Sequence, residues 1–313
     1  MMNILFAATP QIALETLKTI HESEHNLVGV VCGEEKRSGR GLKINKSPIK
    51  VFAEEEEIKI FSYDEIKNER FKLSLEKLDL DLLLVFAFGY ILKETLLNLP
   101  KYGSLNIHTS LLPKYRGAAP IQRSLINCEK ETGITFMKMD AGLDTGPIIC
   151  SEKISIEEGM NTEDLEEIMS NISSRNILQT IDSIEKNKFT LIDQNEDESS
   201  YATKITKEEA KINWAQSAEK IVGKINGLCP NPCAYSNYKE ERIIFYRAKI
   251  SSLPASDPGK ILKADKNELL ISGNDKCILV SELARQNKKR MDYKNFYNGS
   301  KDFFNPNDLF DFS

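Results

Sequence analysis

Several features that would settle a protein's class outright are scarce or missing. Histidine occurs three times in 313 residues and tryptophan once, so imidazole chemistry has few places to sit. Cysteine occurs six times, at Cys32, Cys128, Cys150, Cys229, Cys233 and Cys277. Scattered thiols in a chain this long do not make a disulfide framework. Cys229 and Cys233 bracket a Cys-Pro-Asn-Pro-Cys stretch, but no second Cys/His pair lies near to complete a zinc site. Two small residues in a proline turn is the simpler reading, and no metal is expected. The longest apolar run, Leu82–Leu92, is broken by Gly89 and falls short of a membrane span. The opening run Ile4–Ala8 is too short for a secretory core and lacks a basic flank. A cytoplasmic protein with no membrane partner is the expectation. No internal repeat is present, and neither is a Gly-x-Ser-x-Gly nucleophile elbow.

What is present is ordinary in bulk and uneven in distribution. Hydrophobic residues make up 41% and charged residues 28%, a soluble globular composition. The length makes two domains the default. Net charge is −5, yet residues 201–313 hold 19 Lys+Arg against 14 Asp+Glu, while residues 1–200 hold 23 against 33. This asymmetry suggests a basic module joined to an acidic one; chance variation on two solvated surfaces is the alternative.

The first half alternates strand-like and helix-like segments. Asn3–Ala8 and Leu27–Cys32 read as buried strands around a helix Pro10–Ser23, with Thr9 as its N-cap and Pro10 at its first position. Leu82–Phe88 and Gly103–His108 are continuous runs of the kind buried on both faces of a parallel sheet, with a short helix Lys93–Leu99 between them. The pattern predicts a doubly wound, Rossmann-like α/β sheet. Strands Ile148–Ile156 and Phe189–Asp193 flank a helix Asn161–Asn187. Gln194–Ser200 is acidic, polar and without an apolar anchor, which reads as a linker. Beyond it come a helix Ser217–Asn226 and short strand-like runs (Arg242–Ala248, Glu268–Ser272, Cys277–Glu282) separated by turn residues, which suggest a small β-barrel. The division expected is 1–193, a linker 194–204, and 205–313, with a disordered tail after Phe304.

The chemistry concentrates in residues 103–147. Asn106 and His108 are two apart on an extended segment and share one face. They sit at the carboxyl end of a parallel strand, where open α/β sheets place ligands. Asp144 follows in a turn flanked by Gly142 and Gly146. An amide donor, an imidazole and a carboxylate can stabilise an oxyanion and move a proton, which is what acyl transfer needs. Asp144 beside His108 would favour the imidazolium. The plain alternative is two buried polar residues satisfied by nearby backbone. With no nucleophilic motif at hand, the attacking group would belong to a substrate. A second cluster, Glu34–Lys50, carries Lys36, Arg37, Arg40, Lys43, Lys46 and Lys50 around two glycines. It is no dinucleotide fingerprint, because Ile44 stands at the last glycine position. A basic loop on an acidic domain fits phosphate contact with RNA; a solvated surface loop is the bland alternative.

Asn106–Gln122 together with Gly142–Gly146 resembles the folate-dependent formyltransferases. The resemblance is strongest to the branch acting on methionyl-tRNA, through Ser110-Leu111-Leu112-Pro113-Lys114-Tyr115-Arg116-Gly117-Ala118-Ala119-Pro120-Ile121-Gln122. It runs nearly end to end, taking in Ile4–Pro10, Gly39-Arg40-Gly41, Ser47-Pro48 and Ile205–Ala210 leading to Trp214. It implies transfer of the formyl group of 10-formyltetrahydrofolate to the amino group of charged initiator methionyl-tRNA, in translation initiation. Carried over by position, Asn106, His108 and Asp144 would be catalytic. Ser110, Leu111, Leu112 and Pro113 would contact the tetrahydrofolate, with Val85, Phe86, Ala87, Phe88, Gly89 and Tyr90 lining its pterin pocket. Lys36, Arg37, Arg40, Lys43 and Lys46 would meet tRNA, and the C-terminal part would be an oligonucleotide-binding (OB-like) barrel. The sequence departs from the family pattern at Thr109, where glycine is common, at the bulky Phe86–Phe88, and at Cys229–Cys233 in place of a more aromatic segment. A monomer is expected. Three rivals share the trio: a small-molecule formyltransferase acting on glycinamide ribonucleotide or an amino-sugar nucleotide, a hydrolase releasing formate from the same folate, and an RNA-binding protein whose formyltransferase domain is inactive.

Overall fold

The computed structural model describes residues 1–33, 36–38, 43–66, 68, 75 and 77–311. The chain groups into two compact units that do not follow each other in sequence. The first takes residues 1–118, 133–154 and 166–201, and the second 119–132, 155–165 and 202–313.

The first unit is built on strands β1 (Asn3–Ala8), β2 (Asn26–Cys32), β5 (Ile60–Ser62), β6 (Leu82–Phe86), β7 (Ser104–His108), β9 (Glu131–Lys138) and β10 (Ile148–Ser155). They form one sheet in the order β10-β9-β7-β6-β1-β2-β5. β5, β2, β1, β6 and β7 run parallel, and β9 lies antiparallel to β7. The sheet is therefore mixed, a parallel Rossmann-like body with a reversed edge. Ile4 through Ala8 are wholly buried, and all five residues of β6 are buried. Alternate residues point to opposite faces, so both faces are covered, as parallel strands require. On one face Leu5, Ala7, Val31, Leu83 and Val85 share a core with Phe88, Leu92, Leu96 and Leu97. Elsewhere in this unit the helix Leu14–His21 meets the long helix Thr162–Glu185 through a buried Thr16–Ser173 hydroxyl pair at 2.8 Å.

Several elements differ from the sequence expectation, each for a local reason. The first helix begins at Leu14 after a 3₁₀ turn Gln11–Ala13, and Thr9 does not cap it: the Thr9 hydroxyl accepts from the Gly33 N–H at 3.3 Å. Phe189–Asp193 is not a strand but one antiparallel bridge, Ile192 with Ile148. The short helix is Glu94–Leu97. The basic segment forms a small antiparallel hairpin, β3 (Lys36–Ser38) with β4 (Lys43–Asn45), rather than a plain loop. It leaves from the end of β2, on the carboxyl rim that β7 shares, because β2, β1, β6 and β7 are parallel. Between β7 and β9, the two-residue strand β8 (Arg116–Gly117) pairs with β11 (Tyr201–Ala202).

The second unit is an antiparallel β domain: β12 (Ala234–Tyr238), β13 (Glu241–Pro254), β14 (Ile261–Ala264), β15 (Leu269–Ser272) and β16 (Lys276–Arg285) in the order β12-β13-β16-β15-β14, with β17 (Met291–Asp292) on β16. β12 alternates buried and half-buried positions, the signature of a sheet covered on one face. The core is aromatic. Trp214 is fully buried, stands 5.2 Å from Phe310 and 5.9 Å from Phe245, and donates its indole N–H to Ser236. The tail expected to be disordered is therefore structural through Asp311: Phe304 and Phe310 are buried, and the Phe310 N–H bonds Gly259 O. Two helices from distant sequence, Pro120–Ile126 and Ala218–Gly227, meet closely here. A Cβ at Gly223 would lie 2.6 Å from Leu125 O, and one at Gly227 2.8 Å from Gln122 O. Arg247 and Arg290 share Glu282, and reach Asp164 and Glu163 respectively.

Candidate active site

β7 carries Asn106 and His108 on one face of the sheet. Register pairs Asn106 with Val85 and Met137, and His108 with Thr135. Both side chains are buried, 8% and 6% exposed, so each must find polar partners. Asp144 supplies one for both. The loop between β9 and β10 holds it with its backbone in the left-handed region (φ 55). Its Oδ1 accepts from Asn106 Nδ2 at 3.3 Å, its Oδ2 accepts from the Gly117 N–H at 2.8 Å, and the same Oδ2 stands 3.6 Å from His108 Nδ1.

His108 Nε2 lies 2.9 Å from the Tyr115 carbonyl. A carbonyl only accepts, so Nε2 carries a hydrogen, and Nδ1 is the nitrogen that faces the carboxylate. A second proton on Nδ1 makes an imidazolium–carboxylate pair. Tyr115 presents that carbonyl from a left-handed backbone (φ 61), and Gly117, at φ 118, follows it. The left-handed form costs a non-glycine residue roughly 1–2 kcal/mol, and the Tyr115 N–H helps hold it by donating to Ser200 Oγ at 2.9 Å.

The turn beyond His108 is locked by Thr135. Its hydroxyl donates to Ser110 O at 2.7 Å and accepts from the Leu112 N–H at 3.2 Å. Ser110 Oγ donates to Lys114 O at 2.6 Å, Leu111 lies against Gly133, and Leu112–Pro113 is cis. The stretch after β6 divides. Val85 and Phe86 are buried in the sheet, Val85 on the face of Asn106 and Phe86 on the opposite face with Ile107. Ala87 (φ 48) and Gly89 (φ 76) turn the exposed chain, and a Cβ at Gly89 would meet nothing within 4 Å, so backbone there borders open space. Tyr63 meets Phe88 edge-on, their ring centroids 5.9 Å apart, and lies tilted against Tyr90 at 4.2 Å.

Of the basic residues, Lys36 and Arg37 lie on β3 and Lys43 on β4. Lys46 is exposed and paired with Glu54 at 2.6 Å. Arg40 lies outside the described residues. Cys229 and Cys233 are buried in the second unit, and burial pushes both thiols up, Cys233 to about 11. Among the described residues no group of three or more His, Cys, Asp or Glu could hold a metal. No described helix is long and apolar enough to cross a membrane.

The formyl transferase family matches residues 2–181, and its C-terminal domain matches residues 204–301. The methionyl-tRNA formyltransferase of Pelagibacter ubique (strain HTCC1062) is 41% identical over 300 residues, covering 95% of this chain and 96% of its own. The chain belongs to the methionyl-tRNA formyltransferase family. A second member, from Thermodesulfovibrio yellowstonii, is 39% identical over 95% of this chain and 96% of its own. Among solved structures, the fold matches a methionyl-tRNA formyltransferase from Clostridium thermocellum (TM-score 0.56, 20% identity, 80% of this chain, 94% of that one). It also matches WlaRD, a sugar 3N-formyl transferase (TM-score 0.69, 24% identity, 92% and 99%).

Four members of the arrangement carried no role in the sequence reading. The Tyr115 carbonyl and Thr135 act through backbone and register, which no residue type announces. Arg116 stood within the family motif, yet its complete burial did not show there. Gln194 lay in the supposed linker, but its amide reaches the Asp144 turn fifty residues away.

Proposed function

We propose that this enzyme moves the formyl group of 10-formyltetrahydrofolate to the α-amino group of charged initiator methionyl-tRNA, with Asn106, His108 and Asp144 as the reacting site. The sequence likeness carries the choice of acceptor: 41% identity across 95% of the chain to a methionyl-tRNA enzyme outweighs a fold likeness to a sugar enzyme at 24%. The folate supplies an acyl donor whose carbonyl oxygen gathers negative charge as the amine adds. One Asn106 N–H is on Asp144, which leaves the second for that oxygen. His108 adds to that stabilisation. Asp144 holds His108 and takes the proton that the attacking nitrogen must lose; as the tetrahedral carbon collapses to the new amide, its bond to the folate N10 breaks and N10 leaves with that proton as tetrahydrofolate. An α-amine titrates near ~7.7–8.0, so a useful fraction is already nucleophilic at neutral pH. Proximity supplies much of the remaining acceleration.

The open space beside Ala87–Tyr90 and the fixed turn Ser110–Pro113 suit a flat pterin, with Phe88 and Tyr90 as aromatic wall. Lys36, Arg37, Arg40, Lys43 and Lys46 would meet the tRNA backbone. By function, residues 1–193 would carry the chemistry and 205–313 a barrel holding tRNA, joined by 194–204. The enzyme would act as a cytoplasmic monomer. The test is transfer of labelled formyl to charged initiator methionyl-tRNA, with His108→Ala beside wild type. Labelling by wild type and its loss in the variant is expected. Folate turnover on water or a small amine, with no labelled tRNA, would overturn the acceptor.

A further inference from the structure

Arg116 has no exposed side-chain surface, an unusual setting for a guanidinium. Its Nε and one terminal nitrogen both donate to Gln194 Oε1, at 3.0 and 2.8 Å, and its two terminal nitrogens clasp Glu196 at 2.9 and 2.8 Å. Gln194 passes the connection on. Its Nε2 donates to two backbone carbonyls at once, Asp144 O at 2.8 Å and Gly146 O at 2.7 Å. Those carbonyls bracket the turn that aims the Asp144 carboxylate at His108. The next residue after Arg116 closes the circuit, since the Gly117 N–H donates to Asp144 Oδ2. Asp144 is thus held at side chain and main chain by two neighbouring residues of one short strand, one directly and one through Gln194.

We propose that Gln194 is a positioning residue for formyl transfer, fixing the Asp144 turn against the buried Arg116. The inference rests on the reading that Asp144 takes part in transfer. A glutamine is suited to the place because its amide has both polarities: the oxygen meets a cation, and the nitrogen meets two carbonyls. A carboxylate could satisfy only the first. Gln194 touches neither reacting partner in this scheme; it acts through the backbone of Asp144. Holding reacting groups within a fraction of an ångström is worth much of the rate, and displacements of about 1 Å cost on the order of a hundredfold.

Gln194→Glu isolates the role. It keeps the size of the side chain and both bonds from Arg116 but replaces the donor to the turn with an acceptor that the two carbonyls repel. The expected result is a fall in kcat of roughly tenfold to a hundredfold, with KM for folate and for tRNA and the thermal midpoint close to wild type. Gln194→Met, isosteric and without either polarity, should lose kcat similarly and lower the midpoint as well, because Arg116 loses a partner. Unchanged kcat in Gln194→Glu, or a loss that follows only the midpoint, would make Gln194 structural and overturn the proposal. Asp144→Asn is run beside both. If that variant keeps wild-type turnover, the reading of Asp144 fails; if it is inactive while Gln194→Glu is not, only the positioning role fails.

Discussion

Tyr115 and Asp144 are the two residues on which the site turns, and both hold backbone conformations that L-residues avoid. Strain of this kind persists where surrounding bonds over-determine it, and here those bonds are the ones that orient His108 and the carboxylate. Replacing Asp144 by asparagine keeps shape and the left-handed preference, which asparagine tolerates, and removes the charge. Turnover should fall by about 10²–10⁴, while tRNA affinity measured by filter retention stays within a factor of about two of wild type; a collapse of tRNA binding would contradict the division of roles. That Asn106, His108 and Asp144 could come together was legible beforehand, because Asn106 and His108 share strand parity and Asp144 stands in a glycine-flanked turn. The Tyr115 carbonyl was not, since any residue has one and only the positive φ aims it. Gln194 was hidden for the opposite reason: its side chain is ordinary in a polar segment, and what sets it apart is a partner distant in sequence.

At the level of elements, the parallel strands were readable from unbroken apolar runs, and the long helix Thr162–Glu185 lies within the span expected for it. Asn161 and Asp164 exchange side-chain and backbone bonds at its start. Periodicity said less about the β3–β4 hairpin, whose strands are three residues each, too short to show an alternation. If that hairpin meets phosphates, its contribution is counterion release. Arg40→Ala should raise KM for tRNA, leave KM for folate alone, and flatten the slope of log KM against log salt by about one unit for each phosphate left without its cation. An unchanged slope would overturn the tRNA role proposed for the segment 34–50. The crossing of helices Pro120–Ile126 and Ala218–Gly227 sets two effects against each other. Alanine at Gly223 gains about 1 kcal/mol of helix propensity, but its Cβ would meet a backbone carbonyl at 2.6 Å, and such overpacking costs typically ~1–3 kcal/mol. Gly223→Ala is therefore expected to lower the thermal midpoint; a rise would mean that the helices can part at little cost.

Over the whole molecule, charge was the most informative property of the sequence and the least specific. The basic surplus of residues 201–313 pointed to a second module, but the balance could not show that the second unit also takes in 119–132 and 155–165, with the carboxylates Glu163 and Asp164. Several carboxylates of this unit are held in the ionised form. The Arg123 hydrogen bond lowers Glu209 to about 2, and Lys239 followed by Tyr238 lowers Asp308 to about 2. Burial works against Glu163 and Asp164, yet Arg290 and Arg247 bring both below the usual range. Each of these groups binds a proton more weakly folded than unfolded, so their stabilisation is complete above the ordinary carboxylate range near ~4 and disappears as pH falls toward 2. A denaturant midpoint should decline steadily with acid through that window, and Glu209→Gln should make the decline shallower. A decline equally steep in that variant would place the acid sensitivity elsewhere.

The interleaving of the two units carries a consequence for how such a protein can change over time. The chain passes from one unit to the other five times, and the second unit borrows a helix from 119–132 and two carboxylates from 155–165. A stretch beginning at Ala202 would leave behind the surface that covers Gly223 and Gly227 and the partners of Arg247 and Arg290. The C-terminal half is therefore not a cassette that recombination can trade between genes intact.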